Sequence, residues 1–223
     1  MDAFYPTLVY LHLLLFVLWL GGDLGVFVLG QHFRRRSYSM PERLTLLKLL
    51  VIVDLGPRTA WALMVPMSLT LLFAGGWWPG LPFPAVAAAW AIGLGWLWLV
   101  WDAHAHDMTP RAARDRRIEG WLRWALTVFY VGLGGLSLAT GEPLAPQWLA
   151  WKALLFGGIF AAAIMIDHAF KPVGPQLMAL VQQGSSDATE VPLRATMDGT
   201  RRWVITVYAL LFVTSWLGSV KPF

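Results

Sequence analysis

The sequence predicts an all-α protein, a polytopic membrane bundle of about six transmembrane helices with both termini on the outer, periplasmic side. Three observations lead there. Only 13% of the 223 residues are charged while 57% are hydrophobic. The apolar residues fall in long uninterrupted runs. The basic residues sit in every second connection between those runs. A water-soluble domain of this size buries about 70% of its unfolded surface and covers the remainder with roughly 25% charged residues. Half that charge, with a mean hydropathy of +0.58, makes lipid the solvent. The chain has no cysteine, which excludes disulfide scaffolds, thiolate metal sites, iron–sulfur clusters and Cys nucleophiles. A formal charge of +4 is no signature of nucleic-acid binding when the basic residues are dispersed among connections rather than gathered on one soluble face. Walker loops, dinucleotide fingerprints and hydrolase nucleophile elbows are also absent from the sequence.

A helix needs about 20 mainly apolar residues to cross the hydrocarbon. The first run, Phe4 to Gly30, is too long for a signal-peptide core and lacks a basic leader and a small-residue cleavage site, so it is expected to stay in the mature protein. Arg34, Arg35, Arg36 and Arg43 follow it. The second run, Leu46 to Ala74, ends near Trp77 and Trp78, in a connection with no basic residue. The third, Pro84 to Trp101, leads to Arg111, Arg114, Arg116 and Arg117. The fourth, Gly120 to Thr140, and the fifth, Gln147 to Phe170, are again joined without Lys or Arg. The sixth, Trp203 to Val220, follows Lys171, Arg194, Arg201 and Arg202. By the positive-inside rule the odd-numbered connections are cytoplasmic, as expected for a bacterial-type inner membrane. Trp77, Trp78, Trp148 and Trp216 fall near outer span ends, and Trp101, Trp121 and Trp203 near inner ones, where indoles prefer the headgroup level. The chain reads as one integral membrane domain, 1–223. Residues 171–202 form a cytoplasmic loop, rich in Pro and Gly and expected to be mobile, whose short apolar stretch Leu177 to Val181 can form an interfacial helix on the membrane surface. Gly93, Gly95, Gly132, Gly134, Gly135, Gly157 and Gly158 permit close approach between helices.

An ionisable side chain inside a span costs about 2.5–3.5 kcal/mol on insertion scales, so each one calls for a partner or a task. His12 and Asp23 lie in the first span, Lys48, Asp54 and Arg58 in the second, Arg123 near the inner end of the fourth, and Lys152 near the outer end of the fifth. His12, Phe16, Trp19 and Asp23 share one helical face, with His12 and Asp23 about 16 Å apart along the axis. Asp54 and Arg58, four residues apart, can pair, and Pro57 between them loosens the backbone ladder. Counting depth at helical rise brings Asp23 to the level of Asp54, which suggests a cluster of Asp23, Asp54 and Arg58. One reading is scaffolding, a self-neutralising group that pins two helices. The other gives Arg58 an anionic group of a bound cofactor and makes an acid the proton relay. His12 and Lys152 sit at similar depth below the outer face and can border one pocket. His12 is either hydrogen-bonded to a neighbouring helix or an axial haem ligand. His32, His104, His106, Asp102, Asp167 and His168 gather at inner span ends. His104 and His106, two apart, do not share a helical face, and both readings, ligands or a solvated helix end, stay open.

The run from His12 to His32, H-x6-W-x2-G with a second His ten residues after Gly22, resembles the first span of the small bacterial membrane haem proteins that act as oxygen-independent protoporphyrinogen oxidases. The stretch from Trp148 to His168, with Trp148-x3-Lys152 opening a span, resembles a later span of that family, and Leu133 to Thr140 looks like the glycine-containing helix before it. The copper-resistance D family is similar in its opening His, Trp and Gly. The resemblance covers about a quarter of the chain. It implies a bundle holding haem b, with His12 as axial ligand and Lys152 as cofactor or substrate contact. The chain departs from the oxidase pattern by its extra length, by Asp54, Gly56, Pro57 and Arg58, by the whole third span, and by Ala150 and Trp151 where that family tends to place a His.

The leading expectation is therefore a haem-b-binding membrane redox protein, cytochrome b-like, passing electrons to or from a quinone or a partner protein; an enzymatic version oxidises a porphyrinogen. The candidate catalytic residues are Lys152, Asp54, Arg58 and Asp23. Cofactor contacts are His12, Trp19, Arg58 and Lys152, and metal ligands His12, His32, His104, His106 and His168. One histidine toward the outer face and four toward the inner leave room for two haems. The alternative is copper uptake or tolerance through Met and His, with Met64, Met67 and Met165 available. A third reading is a membrane anchor for a dehydrogenase. The partners expected are the bilayer, a quinone or redox protein, and a second copy of the chain.

Overall fold

Capping residues carry the helices well past the hydrophobic runs. Ser39 closes a capping box with Glu42, with Pro41 in the first turn, so the second helix begins at Met40 rather than Leu46. Thr109 accepts a hydrogen bond from the Ala112 amide at 3.3 Å, and the fourth helix starts at Pro110, ten residues ahead of Gly120. Both devices satisfy amides that a helix start leaves without partners. The structure, a computed structural model, describes residues 3–223. Its elements are α1 (Phe4–Phe33), α2 (Met40–Ala74), α3 (Phe83–Ala105), α4 (Pro110–Thr140), α5 (Gln147–Phe170), α6 (Val173–Gln183) and α7 (Asp187–Val220), with no strand among the described residues. Six stretches of helix are long and apolar enough to cross a membrane, the fifth counted through α6. The fold is a multi-pass helix bundle. An even number of passes brings both chain ends to one end of the bundle, the terminal end; the Arg-bearing connections lie at the other, the basic end.

Residues 171–202 are largely helical, and the stretch Leu177 to Val181 falls within α6. The chain turns into α6 directly after α5, and Ser186 opens α7 with a capping box to Thr189 and the acidic residues Asp187 and Glu190 in its first turn. Sixteen residues of helix therefore precede Trp203. This part holds a small core of its own, Phe33, Val173, Leu180 and Leu193. Beside that core the Arg43 guanidinium donates to Glu190 at 2.7 Å and to the Phe33 carbonyl at 2.8 Å. Arg34–Asp198 and Arg36–Asp187 pairs, at 2.6 and 2.7 Å, tie the start of α7 to the α1–α2 connection. The surface pairs add little, but the Arg43–Glu190 pair is buried and costly to break.

The middle of the bundle is packed with aromatic rings. Trp19 stacks on Trp61 with centroids 5.6 Å apart, Trp61 meets Trp96 at 5.1 Å and Phe160 at 4.8 Å, and Tyr130 meets Phe156 at 4.7 Å. Small residues let backbones close in where rings do not. A Cβ on Gly157 would come within 2.8 Å of the Val131 backbone nitrogen, and one on Gly134 would strike the backbone of Leu154. The ring of Pro57 fits against Gly22 of α1 and that of Pro66 against Gly93 of α3, so the two prolines inside α2 pack into notches of its neighbours. Gly95, Gly132 and Gly135 face open space and play no such part. The close helix pairs are α1–α2, α2–α3, α3–α4, α4–α5, α5–α7 and α6–α7. Helix α1 thus approaches only α2 closely and meets α5 and α7 across large side chains, as in Trp19 against Phe156 at 6.4 Å and Phe27 against Tyr208 at 6.0 Å. Trp101, Trp121 and Trp216 are exposed at span ends as anchors should be, while Trp148 is buried in the core.

Candidate functional site

Two polar constellations interrupt the apolar interior. The first, toward the basic end, grows from the i, i+4 pair. The Arg58 Nε–H donates to Asp54 Oδ2 at 2.5 Å, and Asp23 on α1 is an electrostatic neighbour of both, so the expected three-group cluster forms. It continues into α4 and α5. Arg58 Nη1 lies 3.7 Å from Glu119 Oε1, which also accepts the Trp96 indole N–H at 3.3 Å. Arg123, one turn along α4, places Nε 3.9 Å from the same oxygen and pairs through Nη2 with Asp167 at 2.6 Å. Glu119 and Arg123 are buried, whereas the Asp167 side chain is 47% exposed at the helix end. An ionic chain therefore runs from α1 through α2 and α4 to α5. The Tyr208 hydroxyl donates to the Asp23 carbonyl at 2.8 Å and adds α7 to the group.

The second constellation lies at the terminal end. His12 of α1 and Lys152 of α5, which lie at similar depth, are electrostatic neighbours. The His12 Nδ1 is buried and has no hydrogen-bond partner among the described residues. The Lys152 ammonium lies against Gly218 of α7, where a Cβ would collide with it, and Lys221 is its electrostatic neighbour. Lys221 in turn sits 5.4 Å from the ring centroids of both Trp77 and Trp148, held by cation–π attraction, and Trp77 donates to the Tyr5 hydroxyl at 2.9 Å. Three basic nitrogens converge here, and no carboxylate pairs with Lys152 or Lys221 among the described residues.

The other candidates are dispersed. His32 Nδ1 lies 2.8 Å from the Tyr38 hydroxyl, His106 Nδ1 3.0 Å from the Asp102 carbonyl, and His168 Nδ1 2.8 Å from the Ile164 carbonyl. His104 lies in the last turn of α3, and His106 caps that helix, next to an Arg111 fork on Asp102 at 2.5 and 2.6 Å. No group of three or more His, Asp or Glu suited to a metal ion occurs among the described residues. Trp19 is buried within the aromatic core, stacked on Trp61. Met64 and Met67 are buried in packing, and Met165 is exposed. Sequence reasoning missed Glu119, Arg43 and Glu190. Glu119 had a local signal, an acid four residues before Arg123, but it lies one residue outside the apolar run that began at Gly120.

A haem would find suitable donors at the terminal end: an unpartnered imidazole nitrogen and two ammonium groups free of carboxylates, next to a helix that packs closely on one neighbour only. The midplane, filled by stacked rings, offers none. In comparison with known proteins, the chain matches no family model, no curated protein and no solved structure.

Proposed function

We propose that the chain is an integral membrane protein that binds haem b at its terminal end through His12 and serves electron transfer with a quinone or a partner protein. The observation that carries this reading is the buried, unpartnered His12 Nδ1 beside the Lys152 ammonium. An imidazole nitrogen left without a protein partner in such a place is available to iron, and a cation with no acid partner suits the carboxylates of a macrocycle. The likeness of His12–Gly22 and of Trp148–Lys152 to the membrane haem oxidases supports the same assignment. Bound haem supplies reversible one-electron chemistry. The chain contributes a nitrogen from His12, positive charge from Lys152 and Lys221, the Trp77–Trp148 pair that fixes Lys221, and the apolar wall that keeps water out. The reading places the protein in a bacterial-type inner membrane with this end periplasmic, following the charge alternation of its connections.

The test is spectroscopic. Protein purified in detergent from cells well supplied with iron is expected to show a Soret band that shifts on dithionite reduction. His12→Ala should lose it and His106→Ala should keep it. Wild-type protein without haem, or equal haem in both variants, overturns the assignment. Stoichiometric Cu(I) on colourless protein would favour the copper reading, which the buried positions of Met64 and Met67 do not support.

A further inference from the structure

The ionic chain at the basic end carries more acid than base. Asp167 and Arg123 pair at 2.6 Å. Glu119 shares Arg123 with Asp167, so Asp23, Asp54, Glu119 and Asp167 stand together against the guanidiniums of Arg58 and Arg123, a surplus of two negative charges if all four acids are ionised. Surplus charge among apolar helices is expensive, and buried groups escape the cost by taking protons.

A second observation concerns donors. Trp61 and Arg123 are 8% and 7% exposed, and Trp61 Nε1 and Arg123 Nε are buried N–H groups without an acceptor among the described residues. The two side chains adjoin, the Arg123 guanidinium lying 6.0 Å from the Trp61 ring. The gaps of 3.7 and 3.9 Å that separate Glu119 Oε1 from Arg58 and Arg123 exceed a hydrogen bond and suit a bridging water oxygen. Such an oxygen would satisfy the stranded Arg123 Nε–H and link Glu119 to the half-exposed end of α5.

We propose that Glu119, Asp54 and Asp23 form a proton-loading site, filled from water at the basic end past Arg123 and Asp167. Two protons pass from that water to carboxylate oxygens, and the surplus charge of the site falls from two to none. No electrons move, and only O–H bonds form and break. The groups facing Glu119 are Arg58 from α2, Trp96 from α3 and Arg123 from its own helix. Those facing Asp23 are Asp54 and Arg58 from α2, Trp19 from its own helix and Tyr208 from α7. The cations among them are Arg58, shared between the acids, and Arg123, shared between Glu119 and Asp167. The site stands whether or not His12 binds haem.

Carbodiimides react with protonated carboxylic acids, so the wild-type protein in sealed vesicles of one orientation, treated with a membrane-permeant carbodiimide and mapped by peptide mass spectrometry, reports the loaded site directly. Adducts are expected on Asp23, Asp54 or Glu119. Their yield should fall about tenfold or more when pH is raised by about two units at the basic-end face, and hold steady when only the other face is raised. No adduct on any of the three, a yield that follows the terminal-end pH, or one that follows neither overturns the proposal. Glu119→Gln should blunt the response at Asp23 and Asp54 while Glu119→Asp preserves it; an unchanged response in Glu119→Gln removes Glu119 from the route and overturns it as stated. Neither measurement needs haem, so a colourless protein, fatal to the haem assignment, leaves this experiment decisive.

Discussion

The terminal and basic ends of the bundle hold charge inside the membrane in opposite ways. At the terminal end His12, Lys152 and Lys221 converge with no acid in pairing distance, and Lys221 rests on the faces of Trp77 and Trp148. At the basic end acids and guanidiniums alternate from helix to helix, each within 3.9 Å of the next from Asp54 to Asp167. The first arrangement is unfinished electrostatically and invites an anionic ligand. The second is nearly self-contained and keeps only protons to exchange. A buried charge therefore means different things at the two ends, and its removal should act with opposite sign.

The largest effect is expected at the basic end. Arg123→Met leaves Glu119 short of a partner in an apolar interior and should destabilise the protein by about 3 kcal/mol, the lower bound for breaking a buried pair; thermal unfolding in detergent measures it. At the terminal end the comparable change, Lys152→Met, removes an unpaired cation and should raise the unfolding temperature of haem-free protein, by about 1–3 kcal/mol of stability, while weakening haem retention. If both variants lose stability alike, the contrast between the two ends fails.

The smallest effect lies outside the spans. The Arg116 guanidinium, 2.5 Å from Asp107, holds that carboxyl below the ordinary aspartate range. A depressed folded value means stability that is present above the unfolded value of about 3.9 and lost as pH falls through the lower, folded one. Because the pair is half exposed, Asp107→Asn should remove only a slight acid-range slope from the thermal midpoint and leave neutral stability nearly unchanged. A large loss at neutral pH would mean that this turn matters as much as the buried chain.

Much of the fold was legible because its signals are local. Apolar runs of spanning length and the alternating arginines gave six passes, and the i, i+4 spacing of Asp54 and Arg58 gave their pair. The spacing of His12 and Lys152 from their helix ends gave a shared depth, which the structure turns into neighbourhood. The extent of α2, α4 and α7 was not read because their first turns are polar: a search for hydrophobicity stops where capping by Ser39, Thr109 and Ser186 takes over. Within residues 171–202 the apolar stretch Leu177 to Val181 lies in α6, and helix extends further than expected because α7 accommodates Pro192 and Gly199 within its length. Trp148, at a span end where an interfacial anchor is expected, is instead covered by Trp77 and Lys221.

The sequence by itself determined which stretches cross the membrane, which side of the first helix is polar, and that His12, Asp54, Arg58 and Lys152 need an explanation, because helical period and transfer cost act within a single segment. Only the tertiary structure decided who meets whom. Arg43 finds Glu190 across 147 positions, Glu119 joins Arg58 to Arg123, and Trp19 stacks on Trp61 in the aromatic core. Those choices depend on the rotation and offset of one helix against the next, which Gly22, Gly93, Gly134 and Gly157 set by letting particular backbones and proline rings approach, and no single segment contains that information.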